Sequence, residues 1–415
     1  MDAQEVLRDV GLIVAAGLAA IPVAALLRLP NMIVMVAAGA LVGPSALGWV
    51  SNPVTDLGAE LVFTFGVSLI LFHGGLDTSL RVISQTAVGL GVLVLPGMAL
   101  TALVVALVVW PVFSVPFSVA LLAGAVLAAT DPAILVPLFD RLGLRPKVAQ
   151  TLIAESAFND PSSTVLALTV AGVVASGDIS TGGLLGDFSK SLAFGAVLGI
   201  AGGLVLSAML SARAVGIWRE SPAMAVLGLL ALAYATTEEL GGSAYLAAFV
   251  MGLVAGNVDL YGADRREEHE RALSSYMRQT SEMAVLLVFV TLGINLPFDA
   301  MWDNFWGGLL VMAVFILVAR PLTVYLSLLP DRRGRWQRNE LVFMSWCRET
   351  GAVPAAVASL LLAREIDGAE LIVSLVALAI VVTLLLQATT AGVLARRLGL
   401  VEEPVESPGG SPLGA

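Results

Sequence analysis

An α-helix needs about 20 mostly apolar residues to cross the hydrocarbon of a bilayer, and this chain holds thirteen such runs in 415 residues. They cover roughly residues 6–28, 31–50, 57–77, 82–111, 117–140, 147–175, 184–211, 221–240, 243–257, 276–296, 303–329, 339–363 and 370–395. The sequence therefore predicts an all-α polytopic membrane protein of thirteen spans. Residues 1–401 form one transmembrane domain, and the Pro/Gly/Ser-rich tail 402–415 is expected to be disordered. The chain is 58% hydrophobic and 13% charged, whereas a soluble domain carries about a quarter charged residues. Its 22 Lys and Arg against 32 Asp and Glu argue against nucleic acid as a partner. A single cysteine, Cys347, rules out a disulfide framework, and two histidines, His73 and His269, rule out a histidine-rich metal site.

Basic residues collect in cytoplasmic loops. Thirteen spans put the two ends of the chain on opposite sides. With the C-terminus cytoplasmic, seventeen basic residues fall inside, from Arg28 and Arg81 to Arg396 and Arg397. Three fall outside (Arg8, Lys190 and Arg364), and Arg320 and Arg348 lie within spans. The alternation predicts a multi-pass protein of the plasma (inner) membrane with its N-terminus outside. The first run has no basic leader and no small-residue cleavage site, so it is expected to be a retained helix. The longest polar stretch, 259–278, is expected to be an amphipathic surface segment.

The two halves of the chain echo each other. Gly75 and Gly293 are 218 positions apart, in "LILFHGGLDTSL" and "LVFVTLGINLPF". Span two has Gly39 and Gly43, and span nine has Gly252 and Gly256, at the same spacing. Spans five and twelve are both interrupted, at "ATDPAI" and "RETGAVP", with Asp131 and Thr350 219 positions apart. Spans 1–6 and 8–13 thus read as one unit used twice, with span 7 as the connector. The two copies run in opposite directions through the membrane, an arrangement typical of secondary transporters with a midplane site.

Six ionisable residues lie close to the centres of their spans: Asp131, Glu155, Asp160, Arg320, Arg348 and Glu349. Each costs roughly 2.5–3.5 kcal/mol there, even on the lenient insertion scale. Four acids against two bases leave two carboxylates in excess. Structural pairing alone would favour neutrality, so something positive is expected to come and go.

In span five, Pro132 has no N–H to give the carbonyl of Ala128. Asp131 can cap the half-helix that Pro132 starts, and Thr130 adds a hydroxyl and a carbonyl. In span six, "ESAFNDPSS", Glu155 pairs in register with Asn159 and Ser156 with Asp160, at i and i+4. Carboxylate, amide, hydroxyl and freed carbonyl are hard oxygen donors that suit an alkali cation. Low dielectric favours the protonated form of a carboxylate. One acid can therefore hold a proton or a cation but not both, and mutual exclusion gives exchange. Arg320 needs an anion at its depth. Glu155 is the first choice, as a structural pair that orients Asn159. Arg348 has Asp131, the carbonyl end of a half-helix, or Glu349 as possible partners, and the sequence does not choose.

These residues favour an exchanger of Na⁺ or K⁺ against H⁺, with no cofactor. A cation-coupled symporter of an organic solute is the alternative, but no solute-binding polar group is evident. A passive cation channel is a third reading. An enzyme is remote, because no nucleophile–base pair or metal cluster is visible.

The "ATDP" of span five, the "ESAFNDPSS" of span six and the "RP" of span eleven resemble the NhaP-type branch of monovalent cation/proton antiporters, related to the eukaryotic NHE-type exchangers. The likeness covers about residues 10 to 396. It implies a homodimer in which a core of spans 4–6 and 11–13 moves against a dimerisation domain made of the other spans. It also implies that Asp160 carries the ion and the proton, while Asp131, Ser156 and the Thr130 carbonyl help coordinate the ion. Asn159 would interact with Glu155, Glu155 would pair with Arg320, and Arg348 would match the family's arginine beside the unwound span twelve. The Asn–Asp pair in place of two aspartates implies electroneutral one-for-one exchange. Two departures stand out. Glu349 and Thr350 precede the glycine where many relatives read Arg-Gly-Ala, and His73 stands where many carry an acid.

Overall fold

The computed structural model describes residues 3–27, 29–50, 57–130, 143–177, 181–210, 222–261, 267–331 and 334–401. Every named element is helical. In order they are α1 (Ala3–Leu27), α2 (Asn31–Val42), α3 (Leu57–Leu76), α4 (Leu80–Phe113), α5 (Phe117–Leu127), α6 (Pro146–Ser176), α7 (Thr181–Leu210), α8 (Pro222–Glu239) and α9 (Ala244–Gly256). There follow α10 (Glu267–Ile294), α11 (Phe298–Asp303), α12 (Phe305–Val314), α13 (Arg320–Leu328), α14 (Arg338–Trp346), α15 (Ala352–Ala363), α16 (Ala369–Val382) and α17 (Thr389–Arg397). Two π-helical segments, Phe315–Ala319 and Thr383–Ala388, join α12 to α13 and α16 to α17. Among the described residues, six apolar helical stretches are long enough to cross a bilayer unaided. They are Glu5–Leu27, Gly89–Phe113, Phe188–Leu210, Leu273–Ile294, Phe305–Leu328 and Ala369–Arg397.

Three features differ from the sequence reading, each for a local reason. The second helix stops at Val42, short of residue 50. Pro44 disfavours helical backbone at Gly43, which is extended, and the chain then turns through Gly48 at φ +64°. The polar stretch 259–278 is not a separate surface segment. After a short 3₁₀ turn at Val258–Tyr261, its second half is the first part of α10. Leu273 and Met277 there are buried against α3, α7 and α8. Finally, Glu340, which the sequence left without a role, is buried. Its carboxylate takes the Lys147 ammonium at 2.7 Å and the Gln337 N–H at 2.8 Å, tying the start of α14 to the start of α6.

Two groups of helices pack around different seams. In one, α5 is enclosed by α4, α6, α15 and α16, and most of its residues are fully buried. In the other, α2 lies on α10, and α9 lies on α3 and α7. Glycines let these backbones touch. A Cβ on Gly39 would stand 2.0 Å from the Val290 carbonyl oxygen, and one on Gly252 would stand 2.0 Å from that of Phe72. Gly43 meets Ile294 as Gly256 meets Leu76, and Gly293 meets Val36 as Gly75 meets Phe249. Each contact of α2 with α10 thus has a counterpart of α9 with α3. The counterparts lie 213 positions on for α2 to α9 and 218 for α3 to α10.

Branched side chains at these crossings would force the helices apart. Gly39→Val and Gly252→Val are each expected to cost about 1–3 kcal/mol or more. Both should lower the yield of monodisperse protein in size-exclusion chromatography, whereas Gly11→Val, with open space around it, should not.

Candidate functional site

The site forms where the broken end of α5 meets the middle of α6. The α5 helix ends at Leu127, and residues 128–130 leave the helical path, buried. Pro132 cannot give an N–H to Ala128, and no water is at hand in a membrane interior, so other donors must serve that carbonyl. Two do. Asn159 Nδ2 donates to Ala128 O at 2.8 Å, and the Arg348 guanidinium donates to the same oxygen. Asn159 Nδ2 also reaches Thr130 Oγ1 at 3.4 Å, while Asn159 Oδ1 is buried without a hydrogen-bond partner among the described residues.

Asp160 follows Asn159 and is 8% exposed. Its Oδ1 accepts the backbone N–H of Thr130 at 3.1 Å, so the aspartate touches the unwound end of α5 directly. Its own backbone carbonyl takes the hydroxyls of Ser163 and Thr164 at 3.0 and 2.8 Å. Pro161, which follows, leaves the carbonyl of Ala157 without its helical donor, yet α6 runs on through it to Ser176. Ser156, one turn earlier on α6, is buried as well. Asp131, the other acid of the first break, lies outside the described residues.

Glu155 and Arg320 form a bidentate ion pair in which both groups are almost wholly buried. Arg320 Nη2 meets Glu155 Oε2 at 2.9 Å, and Nη1 donates to Oε1. Arg320 also spends donors on the carbonyls of Met344 (3.0 Å) and Cys347 (3.3 Å), at the C-terminal end of α14. One guanidinium thus holds α13, α6 and the second break together. Because Arg320 engages both oxygens of Glu155, Asn159 turns to α5; the expected contact between Asn159 and Glu155 is not the one formed.

The second break runs from Cys347 to Gly351, and α15 begins at Ala352. Arg348 crosses from it to α4 and α5, giving Nη1 to Thr101 Oγ1 at 3.3 Å besides its bond to Ala128. Its guanidinium carbon stands 5.0 Å from the centre of the Phe315 ring. Of the partners open to Arg348, the carbonyl end of α5 is one it reaches; Asp131 lies outside the described residues. Glu349 is buried beside it in the break. The Thr350 N–H donates to Thr383 Oγ1 at 3.2 Å, and Gln387 donates to the Trp346 carbonyl.

Sequence reading passed over Thr101, Thr323, Thr383 and Gln387. Thr101 Oγ1 lies 3.0 Å from Thr323 Oγ1 and so links α4 to α13 beneath Arg348. Thr383 and Gln387 sit on a π-helical segment, a feature common at functional sites. The available signal was a lone glutamine in an apolar run. His73, at the end of α3, has Nε2 3.3 Å from the Asp77 carboxylate.

Among the described residues, which are helical in every named element, the end of α5 and the break between α14 and α15 come together at buried acids and arginines, the arrangement of a multi-pass membrane transporter. The sequence profile described as "Sodium/hydrogen exchanger, transmembrane" matches residues 12–397, and the chain belongs to that family, in its NhaP-type branch. It is 30% identical over 394 residues to the K(+)/H(+) antiporter NhaP2 of Shewanella oneidensis. The match covers 92% of this chain and 65% of that protein, so the chain spans about two thirds of the relative's length. It is 29% identical over 366 residues to Na(+)/H(+) antiporter 1 of Methanocaldococcus jannaschii, covering 84% of this chain and 81% of the other. The solved structure of the sodium proton antiporter MjNhaP1 from that organism aligns with a TM-score of 0.82 at 25% identity. That alignment covers 95% of this chain and 99% of the other.

Glu155→Gln leaves a buried guanidinium without its counter-charge and is expected to cost about 3–5 kcal/mol. The melting temperature in detergent should fall accordingly. The double variant Glu155→Gln/Arg320→Met should be less destabilised than Glu155→Gln alone, yet less stable than wild type, because Met344 and Cys347 lose a donor.

Proposed function

We propose that this chain is a secondary active transporter that exchanges a monovalent cation, Na⁺ or K⁺, for H⁺ across the plasma membrane. The observation that carries the reading is the Asp160 carboxylate, buried in α6 and bonded to the unwound end of α5. An acid at that depth is expensive when ionised. It becomes inexpensive when it holds a proton or a monovalent cation. Competition between the two at one group couples their movements.

In this reading Asp160, Asp131, Ser156 and Thr130 bind the ion, and Asn159 holds the broken end of α5 in place. Glu155, Arg320, Arg348 and Glu349 support the breaks and supply fixed charge. The matched glycine contacts of α2 with α10 and of α9 with α3 support an inverted repeat of spans 1–6 and 8–13 within a thirteen-span chain. The separate packing around α5 and around α9 supports a core of spans 4–6 and 11–13 that moves against the remaining spans by alternating access. The chain works as a homodimer, with its C-terminus cytoplasmic, and its exchange is electroneutral. Relatives named for K⁺ and for Na⁺ both support a monovalent cargo.

In proteoliposomes, wild-type protein should release protons when Na⁺ or K⁺ is added, with Li⁺ as a further test of selectivity. Asp160→Asn should abolish this release while folding and inserting normally, and wild-type activity in that variant would overturn the reading. Rates unchanged by a potassium ionophore that clamps the membrane potential would support electroneutral exchange; acceleration would refute it.

A further inference from the structure

A groove of about 570 Å³ opens on the outer surface between α13, α14 and α17. Its walls are apolar, with Leu317, Val342 and Val393 among them, and Tyr325 and Trp346 contribute rings. Leu317 and Val393 are exposed, so the groove faces the surrounding medium and not the protein core. At one end it meets Arg397, one turn beyond Val393 on α17. On the neighbouring α14, Arg338 stands one turn before Val342, so both helices place an arginine at the same end of the groove. The two ends are joined there, because Asn339 Nδ2 donates to the Leu398 carbonyl at 2.9 Å.

Arg81 and Lys147 on this side have acidic partners, Asp259 and Glu340, whereas Arg335 and Arg396 are exposed without one among the described residues and do not line the groove. Arg338 and Arg397 are exposed and make no hydrogen bond or ion pair with the described residues. An apolar slot between spanning helices, ending in two available guanidinium groups on the cytoplasmic side, matches the chemistry of one ligand. That ligand is an anionic phospholipid of the inner leaflet. We propose that such a lipid binds here, one acyl chain along Val342, Trp346 and Val393 and its phosphodiester between Arg338 and Arg397. The assignment of the cytoplasmic side rests on the orientation given above.

The site is coupled to the second break. Trp346 is the last residue of α14, its indole N–H donates to Thr390 Oγ1 at 2.8 Å, and its carbonyl receives Gln387. The next residues are Cys347, whose carbonyl Arg320 holds, and Arg348. A chain packed against Trp346 braces this segment from outside.

Native mass spectrometry of detergent-purified protein titrated with phosphatidylglycerol or phosphatidylcholine tests the proposal. Wild type should retain phosphatidylglycerol in preference. Affinity should fall about fivefold for Arg338→Gln or Arg397→Gln, and about twenty-five-fold for the pair. Val393→Trp, which fills the slot and leaves the charges alone, should also displace the lipid. Arg396→Gln, next in sequence but outside the groove, should not. Wild-type affinity in the double variant overturns the proposal, as does an equal loss in Arg396→Gln, which would mean diffuse surface attraction. In vesicles, adding one part phosphatidylglycerol to four parts phosphatidylcholine should raise wild-type exchange more than that of the double variant. The binding measurement involves no transport, so its failure is separate from a failure of the exchange reading.

Discussion

The carbonyl of Ala128 is the point on which the rest of the site depends. Pro132 follows it by four residues and has no hydrogen to give. In an aqueous loop a water would take that place. Inside a membrane protein an unserved carbonyl costs several kcal/mol, so side chains from elsewhere must reach it. Asn159 comes from α6 and Arg348 from the break before α15. One missing backbone donor thereby fixes the mutual positions of three helices. It also places Thr130 N–H against Asp160, and the acid could not keep that partner if α5 continued as a regular helix.

The two arginines solve different problems. Arg320 neutralises Glu155 in a bidentate pair, and its remaining donors close the carbonyl end of α14. Arg348 makes its hydrogen bonds to neutral oxygens, those of Ala128 and Thr101. Its charge is therefore a fixed positive potential near the first break, offsetting part of the acidic excess without being consumed by a salt bridge.

Much of this was legible in the sequence because membranes make the rules strict. Apolar runs gave the helices, and Pro132 beside Asp131 pointed to the first break, whereas Pro161 beside Asp160 leaves α6 continuous. An arginine at bilayer depth must have an anion, which pointed from Arg320 to Glu155, and the two are in contact. What stayed hidden depended on three-dimensional competition. Glu155 could serve Asn159 or Arg320, and the stronger charge-assisted partner took both oxygens, which left Asn159 to α5. Thr101, Thr383 and Gln387 were overlooked because a hydroxyl or amide in a span can satisfy itself on its own helix; only the fold shows that these reach across. The π-helical segments have a partial sequence cause. Pro321 removes a donor to Leu317, but Thr383–Ala388 contains no proline.

The two breaks share a place in the proposed repeat but not a chemistry. The first is served from outside by an asparagine and an arginine, and its Thr130 N–H meets the Asp160 acid of α6. The second is served by Arg320, Gln387 and Thr383 at three of its backbone groups, and presents an arginine. The second also holds the buried acid Glu349 beside its arginine. The end of α5 in one copy of the proposed repeat becomes the anchor for the charge of the other, as Ala128 does for Arg348. Motion of either break then disturbs both. On the proposed reading, coupling the cargo site to helix position needs no further device than a carbonyl shared between the two halves.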